Sequence, residues 1–213
     1  KIGCLEVTVI NADELKNNGQ LIGNGGVTYV NAGRVYNVTN TNELSEIRGN
    51  EVTVIATAGN IENIGGKIKG IESVALVAEN GDIINSSSTS RAQQYTNSRN
   101  STSHDSILSV GSIESEGMTY IEGNNYISQA GRLSGGTTVI EAKENIEIGS
   151  LTLNGSDRSG ISGDNYRNYD SVQKIGSEVT GTENVILNAG KELTVKGSTV
   201  ASDGTVQMTA ENV

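Results

Sequence analysis

Apolar and polar residues alternate in short runs along most of this chain. The clearest runs are Val52, Val54, Ala56; Val74, Leu76, Ala78; Val185, Leu187, Ala189; and Leu193, Val195. A period of two predicts short strands that bury one face. Gly, Asn and Asp separate the runs, as is typical of turns, and helices are disfavoured by runs this short and β-branched. The pattern predicts an all-β chain.

The alternating runs recur at a nearly constant spacing. Residues 52–63 overlay residues 74–85 at a shift of 22, and residues 179–189 overlay residues 200–210 at a shift of 21. The peptide Glu-Val-Thr-Val-Ile occurs at 6–10 and again at 51–55, a shift of 45 or about two units. A further overlay, at a shift of 20, matches Met118, Tyr120, Asn125 and Tyr126 with Thr138, Ile140, Asn145 and Ile146. Such repetition predicts stacked, equivalent units.

A unit of 20–22 residues that holds two or three short strands predicts one coil of a parallel β-helix, a solenoid. Coils stack at about 4.8 Å, so each strand pairs with its counterparts above and below. Side-chain amides at equivalent turns should then form ladders; the pairs expected are Asn60 with Asp82, Asn63 with Asn85, and Asn125 with Asn145. Without two inserts, the chain has room for roughly eight coils, a rod about 40 Å long.

Two segments lack the alternation. Residues 86–106 are rich in Ser, Thr, Asn and Arg, and residues 154–171 place two Tyr among Gly, Ser, Asp and Arg. We expect both to be extrahelical loops that leave the rod. Binding on repeat scaffolds usually lies in such loops, which makes these two segments the candidates for contact with a partner.

Composition supports a narrow all-β interior. The chain has 27 Gly and no Pro, Trp or Phe, so its apolar residues are mainly Val, Ile, Leu and Ala. Disorder is the competing interpretation, but disordered chains rarely contain regular β-branched runs. A net charge of −10 argues against a nucleic-acid partner, because phosphate binding requires a basic surface. A single cysteine excludes an internal disulfide.

The segment 176–210 carries a recognisable motif: Gly-Ser-x-Val, a small polar turn, then Val-x-Leu-x-Ala-Gly-x-x-Leu-x-Val. It resembles the haemagglutinin repeat of filamentous haemagglutinins and of the exoproteins of contact-dependent growth inhibition. Residues 112–153 are similar, and the first hundred residues match loosely. The resemblance implies a right-handed parallel β-helix, export through a two-partner outer-membrane transporter, and a place on the cell surface or in the medium.

These features favour a structural and interaction segment, a β-helical shaft of a large secreted surface protein that acts as an adhesin or carries a toxin. The receptor on a host or neighbouring cell is not defined by the sequence. Two other hypotheses stay open: a carbohydrate-active β-helix enzyme, and a segment that helps a toxin cross a target outer membrane. The chain begins without a signal peptide and ends in mid-pattern, so we expect a single β-helical domain, residues 1–213, cut from a longer protein. Its uncapped ends should associate end to end.

No residue is assigned a catalytic, cofactor-binding or metal-binding role. His104 is the only histidine and lies in the first insert, where we expect it to face solvent without a convergent acid. Cys4 has no histidine partner and should fill a small core position. Glu114, Glu116 and Asp164 are the carboxylates considered for glycoside cleavage, which needs two at a defined separation. Glycosylation sequons at Asn37, Asn100 and Asn154 are expected by chance in a chain so rich in Asn, Ser and Thr.

Overall fold

The computed structural model describes residues 2–4, 7–23, 25–97, 100–162 and 165–213. Strands make up 78% of the described residues, which contain no helix. The strands are β1 (Ile2–Cys4), β2 (Val7–Asn17), β3 (Gln20–Gly23), β4 (Val27–Val38), β5 (Glu46–Ala56), β6 (Ile61–Ile64), β7 (Lys67–Ala78), β8 (Ile83–Ser86), β9 (Ser88–Asn97), β10 (Asn100–Ser109), β11 (Ser112–Glu114), β12 (Met118–Gly123), β13 (Tyr126–Gln129), β14 (Arg132–Ala142), β15 (Asn145–Ser162), β16 (Asn165–Gly176), β17 (Glu178–Ala189), β18 (Glu192–Val195), β19 (Thr199–Ser202) and β20 (Thr205–Thr209). The all-β prediction is confirmed.

Most strands pair in parallel with a strand one repeat further along the chain. Val52 pairs with Val74 at a step of 22, and Val185 pairs with Val206 at a step of 21, as the overlays predict. We call this parallel part the main sheet. Its eight successive repeats are β1–β2, β3–β4, β5–β6, β7–β8, β11–β13, β14 with the start of β15, β17–β18, and β19–β20.

One predicted overlay is wrong by one residue, and a second is wrong by one residue over its first half. Val7 pairs with Val27, which pairs with Glu51, so the repeated pentapeptide steps by 44 and not 45. Likewise, Met118 pairs with Thr137 and Tyr120 with Val139, a shift of 19 and not 20. The second half of that overlay is confirmed, because Tyr126 pairs with Ile146 at the predicted shift of 20. Threonine causes both errors. The overlays match the larger apolar residues with one another, whereas threonines occupy the inward positions at these places. One inward column reads Thr8, Thr28, Val52, Val74, Thr119, Thr138, Val185.

The core is a narrow stack of aliphatic side chains. One column contributes one residue from each of six consecutive repeats, all of them almost completely buried: Val30, Val54, Leu76, Ile121, Ile140 and Leu187. Each side chain packs on its equivalents above and below. Thin, branched residues fill such an interior without the large rings that the composition lacks.

A ladder of four buried asparagines runs beside this core. The Nδ2 of Asn17 donates to Oδ1 of Asn37 at 2.7 Å, Asn37 to Asn63 at 2.7 Å, and Asn63 to Asn85 at 2.8 Å. Asn17, Asn37 and Asn63 each use the second hydrogen of Nδ2 on a backbone carbonyl; for Asn63 this is the carbonyl of Ser112, at 3.1 Å. Asn85, at the end of the ladder, donates to the carbonyl of Arg132 at 2.8 Å. Each of the four buried side chains is therefore hydrogen-bonded to protein groups, as buried polar groups require.

The predicted amide ladders are confirmed, and a second one lies nearer the surface. There, Asn125 donates to Asp82 at 2.8 Å and Asn145 donates to Asn125 at 2.9 Å. Asn60 joins by accepting the backbone N–H of Asp82 at 3.0 Å. The residue interval of these contacts equals that of the strand pairings on either side of the turns. The contacts therefore hold the turns of adjacent repeats in register.

Tyr126 is buried in the core with an unpaired hydroxyl. Its oxygen has no hydrogen-bond partner among the described residues. The neighbouring Asn85 side chain donates one amide hydrogen to the carbonyl of Arg132, and Ser128 donates to the carbonyl of Asn85. Burial raises the pKa of Tyr126 to about 12, and these two neighbours offset only part of that effect. An unpaired buried hydroxyl costs stability.

We therefore expect Tyr126→Phe to raise the free energy of unfolding by about 1 kcal/mol at pH 7. Above pH 10 the unfolded tyrosine loses its proton while the folded one keeps it, so folding of the native chain weakens between pH 10 and 12. The advantage of the variant should grow over that window. Urea unfolding of both proteins at pH 7 and pH 11 measures it, and the other six tyrosines cancel in the difference. A loss of stability in the variant would show that the hydroxyl is hydrogen-bonded in the fold.

Candidate functional site: the hairpin sheet

The two segments predicted to be loops are antiparallel β-hairpins. Strands β9 and β10 pair from Ser88 to Ser109, and the outer half of β15 pairs with β16 from Ser150 to Gly176. The expectation of loops at 86–106 and 154–171 is wrong in conformation, although both segments do leave the main sheet, and their bounds differ slightly from those of the hairpins. Their composition hides the strands, because both faces are polar and no apolar alternation marks them.

The hairpins leave the main sheet at equivalent corners. From β6 onward, where the chain passes tightly from one repeat to the next, a residue with positive φ makes the turn: Gly65 at 63°, Ala130 at 53° and Gly197 at 61°. Hairpins replace this turn after β8 and within β15, so tight corners and hairpins alternate. The Oγ of Ser87 donates to the carbonyl of Ala130 at 2.5 Å and ties the base of the first hairpin to the tight corner below it.

The two hairpins join into one four-stranded antiparallel sheet, in the order β9, β10, β15, β16, which we call the hairpin sheet. Strands β10 and β15 pair from Ser101–Arg158 to His104–Gly155. The four strands leave or re-enter the main sheet at four successive repeats. Since repeats and sheet strands share a spacing of about 4.8 Å, the main sheet sets the hairpins at the distance at which they pair.

Side chains reinforce the junction between the hairpins. The Nε2 of His104 lies 2.9 Å from Oδ1 of Asp157. The backbone N–H of Asn154 donates to Asp105 at 3.0 Å, and that of Gly160 donates to Asn100 at 2.9 Å. Three contacts along one seam fix the register of a sheet whose two polar faces would otherwise specify it weakly.

His104 does have a convergent acid, contrary to the expectation from sequence. It also shares a row of the sheet with Gly155 and Ser171, and a methyl group at Gly155 would overlap both side chains. The acid that meets His104 comes from the other insert, 53 residues away, so local sequence could not reveal it. The imidazole is half exposed, and it serves as a cross-strand link between the hairpins.

The two described carboxylates among those considered for glycoside cleavage line different cavities. Glu114 is ion-paired with Lys67 across adjacent repeats. Glu116 lies in the bend after β11 and lines a separate shallow cavity of about 470 Å³. Asp164 falls outside the described residues. The carbohydrate-active alternative therefore gains no support.

The remaining candidate residues divide between buried, surface and undescribed positions. Asn37, in the first sequon, is completely buried in the asparagine ladder. Asn100 and Asn154 lie in the hairpin sheet. The backbone of Cys4 pairs with Gly23 in the main sheet, and its side chain is outside the described set. Among the described residues, no group of three His, Cys, Asp or Glu side chains is placed to hold a metal ion.

The surface of the hairpin sheet differs from that of the main sheet in charge. Residues 88–109 and 150–176 contain five basic and four acidic residues and no Glu, whereas the rest of the chain has 21 acidic and 10 basic residues. Large side chains are exposed on the hairpin sheet, with Tyr95 at 83% and Tyr169 at 63%. Exposed tyrosines among Ser, Asn, Gln and Gly are typical of recognition surfaces.

These features define an all-β repeat protein with a near-neutral projection on an acidic body. The sequence model described as Hemagglutinin repeat matches residues 31–164, more than half of the chain. The chain belongs to the haemagglutinin repeat family, which is structural and non-enzymatic and whose proteins are typically secreted to the surface. Membership indicates a segment of a filamentous-haemagglutinin-like secreted adhesin.

The matched region differs from the one that the motif emphasised. It includes residues 112–153 and much of the loosely matching first hundred residues, and it stops before the motif at 176–210. No curated protein and no solved structure matches the chain significantly. Within the part of the chain that the structure describes, no helix has the length and apolar character needed to cross a membrane.

Proposed function

We propose that the chain is a stretch of right-handed parallel β-helix that acts as a shaft segment in a large secreted bacterial surface protein. The observation that carries this proposal is the parallel register, which continues through eight repeats. Its steps are 19–22 wherever neither a hairpin nor the loop at 39–45 intervenes, and 24–26 across that loop. Eight repeats stacked at about 4.8 Å give a rod about 40 Å long, and thin side chains fill its interior. Length and stiffness then come from repetition alone.

In this proposal the hairpin sheet is the contact surface that the shaft presents. The asparagine ladders and aliphatic core hold each repeat on the next, and the hairpins inherit that spacing. The full-length protein would leave the cell through a two-partner outer-membrane transporter, an export route with which the family is associated. Its partners would be receptors on a host or neighbouring cell.

The test uses antibody raised against this chain on cells and medium of the native bacterium. We expect a band many times larger than 22 kDa in the surface or medium fraction, and antibody bound along a filament in electron micrographs of the purified native protein. Deleting the partner transporter should retain the antigen inside the cell, while an unrelated secreted protein is still exported. A 22-kDa band confined to the cytoplasm would overturn the shaft function.

A further inference from the structure

One edge of the hairpin sheet is open. Strand β9 pairs with β10 on one side, and no described strand pairs with its other side. Residues 91–96 of β9 are all exposed, whereas exposed and half-buried residues alternate along β10. An edge strand of this kind presents unpaired backbone N–H and C=O groups that can bind another strand.

The open edge lacks the features that usually prevent pairing. Strand β9 contains no Pro, no Lys and one charged residue, Arg91. The opposite edge, β16, carries Arg167, Asp170 and Lys174. Charged side chains on an edge disfavour the approach of a second strand, so β9 is the edge suited to pairing.

Strand β9 is complementary to a second copy of itself. A two-fold axis normal to the sheet keeps every side chain on its own face, so residues that lie opposite each other must share a face. The axis therefore passes between the two copies of one residue. Centred on Gln93, it sets Arg91 of one copy opposite Tyr95 of the other, and the reverse, with Gln93 opposite Gln93. Arg91, Gln93 and Tyr95 share one face because they alternate along the strand. The pairing sets the most exposed tyrosine in the described set opposite the only cation of the strand. In the single copy the Arg91 guanidinium bonds to Ser103 at 2.9 Å and lies 3.7 Å from Asp105, both on β10, and 57% of its side chain is exposed.

We propose that two copies of this protein associate side by side through antiparallel pairing of β9 with β9, centred on Gln93. The net charge favours this route. The hairpins carry one net positive charge and the rest of the chain carries eleven negative charges, so repulsion between copies is weakest where the hairpins meet. This pairing goes beyond the shaft function, because it makes the hairpin sheet a homophilic contact between neighbouring molecules.

The test places charges at the centre of the pairing in the 213-residue chain. Gln93→Glu alone and Gln93→Lys alone each put like charges opposite each other across the axis. Each should raise the dissociation constant of self-association at least about tenfold. An equimolar mixture of the two variants should associate about as tightly as the native chain, because Glu then faces Lys. Sedimentation velocity over a concentration series measures all three.

Gln173→Glu and Gln173→Lys are the matched controls, since Gln173 is exposed on the opposite edge strand. They should leave association unchanged, alone or mixed. If copies instead associate through the ends of the main sheet, the charge at residue 93 should not change the dissociation constant. Mixing the two variants should then give no tighter association than either variant alone. Either that result or a native chain that stays monomeric at millimolar concentration would overturn the pairing and leave the shaft function standing.

Discussion

Replacing Asn63 with Leu should lower the free energy of unfolding by about 3 kcal/mol or more. Asn63 is the third rung of the buried ladder: it accepts from Asn37 and donates to Asn85 and to the carbonyl of Ser112. Leucine has a similar volume but leaves one donor and two acceptors unpaired in a dry interior. Each such group costs about 1–3 kcal/mol. Urea unfolding followed by circular dichroism measures the loss.

Asn80→Leu is the control for this change. Its Nδ2 also donates to a carbonyl of the preceding repeat, that of Thr57 at 2.8 Å, but the residue is exposed. Water can replace the lost bond there, so the cost should stay below about 1 kcal/mol. If Asn63→Leu cost no more than Asn80→Leu, the interior ladder would not be a source of stability.

The repeat period and most of the core follow from the sequence, and the exceptions are instructive. Valine and threonine have nearly the same shape, and Thr119 and Thr138 face inward with hydroxyls that donate to the carbonyls of Ser134 and Thr180. A column can therefore mix the two residue types. Alternation read from hydropathy alone shifts the register by one residue at such places, and a one-residue shift exchanges the two faces of a strand.

Tyr120 shows the consequence of that shift. The overlay with Ile140 placed it inward, whereas it pairs with Val139, and its neighbour Ile121 is the buried residue. On the outer face the Tyr120 hydroxyl lies 2.9 Å from Glu122 and 2.7 Å from Glu141. Burial and these two carboxylates hold the pKa of Tyr120 above its usual range. The one-residue error in the overlay therefore concealed the two carboxylates that contact the Tyr120 hydroxyl.

The asparagine ladder was only half visible in the sequence. The overlay of residues 52–63 on 74–85 predicts the contact between Asn63 and Asn85, and it is present. The contact between Asn37 and Asn63 escaped because the loop at 39–45 changes the step at that point to 26. Asn17 lies 20 residues before Asn37, within the usual period, but no overlay covered that part of the chain. Asn37 was considered only as a sequon. The lengths of loops between repeats are set by surface turns, which a fixed period does not describe.

The hairpin sheet lies furthest from what sequence could provide. Its strands have no apolar face, so neither period nor propensity distinguishes them from polar loops. Their pairing depends on the main sheet, which delivers four strands at four successive repeats, and on contacts such as His104 with Asp157 between segments far apart in the chain. A polar insert in a repeat protein can therefore become ordered because its attachment points already have the spacing of a sheet.

Replacing Gly81 with Ala should cost about 2 kcal/mol or more, because stacked repeats leave no room for a methyl group there. A Cβ at this position would overlap the carbonyl group of Gly59, its equivalent one repeat earlier, and approach the backbone nitrogen of Asn60. Backbone atoms of the adjacent repeat cannot move aside without breaking the parallel register. Urea unfolding of the variant and the native chain measures the cost.

Gly59→Ala is the matched control, since it makes the same substitution at the equivalent turn. A Cβ at Gly59 would approach only the flexible side chain of Arg34, which can change rotamer. We expect this variant to lie within about 1 kcal/mol of the native chain. The difference between the two variants isolates close contact between repeats from any general intolerance of the turn. Equal costs would mean that the turn itself, and not the repeat stacked against it, requires glycine.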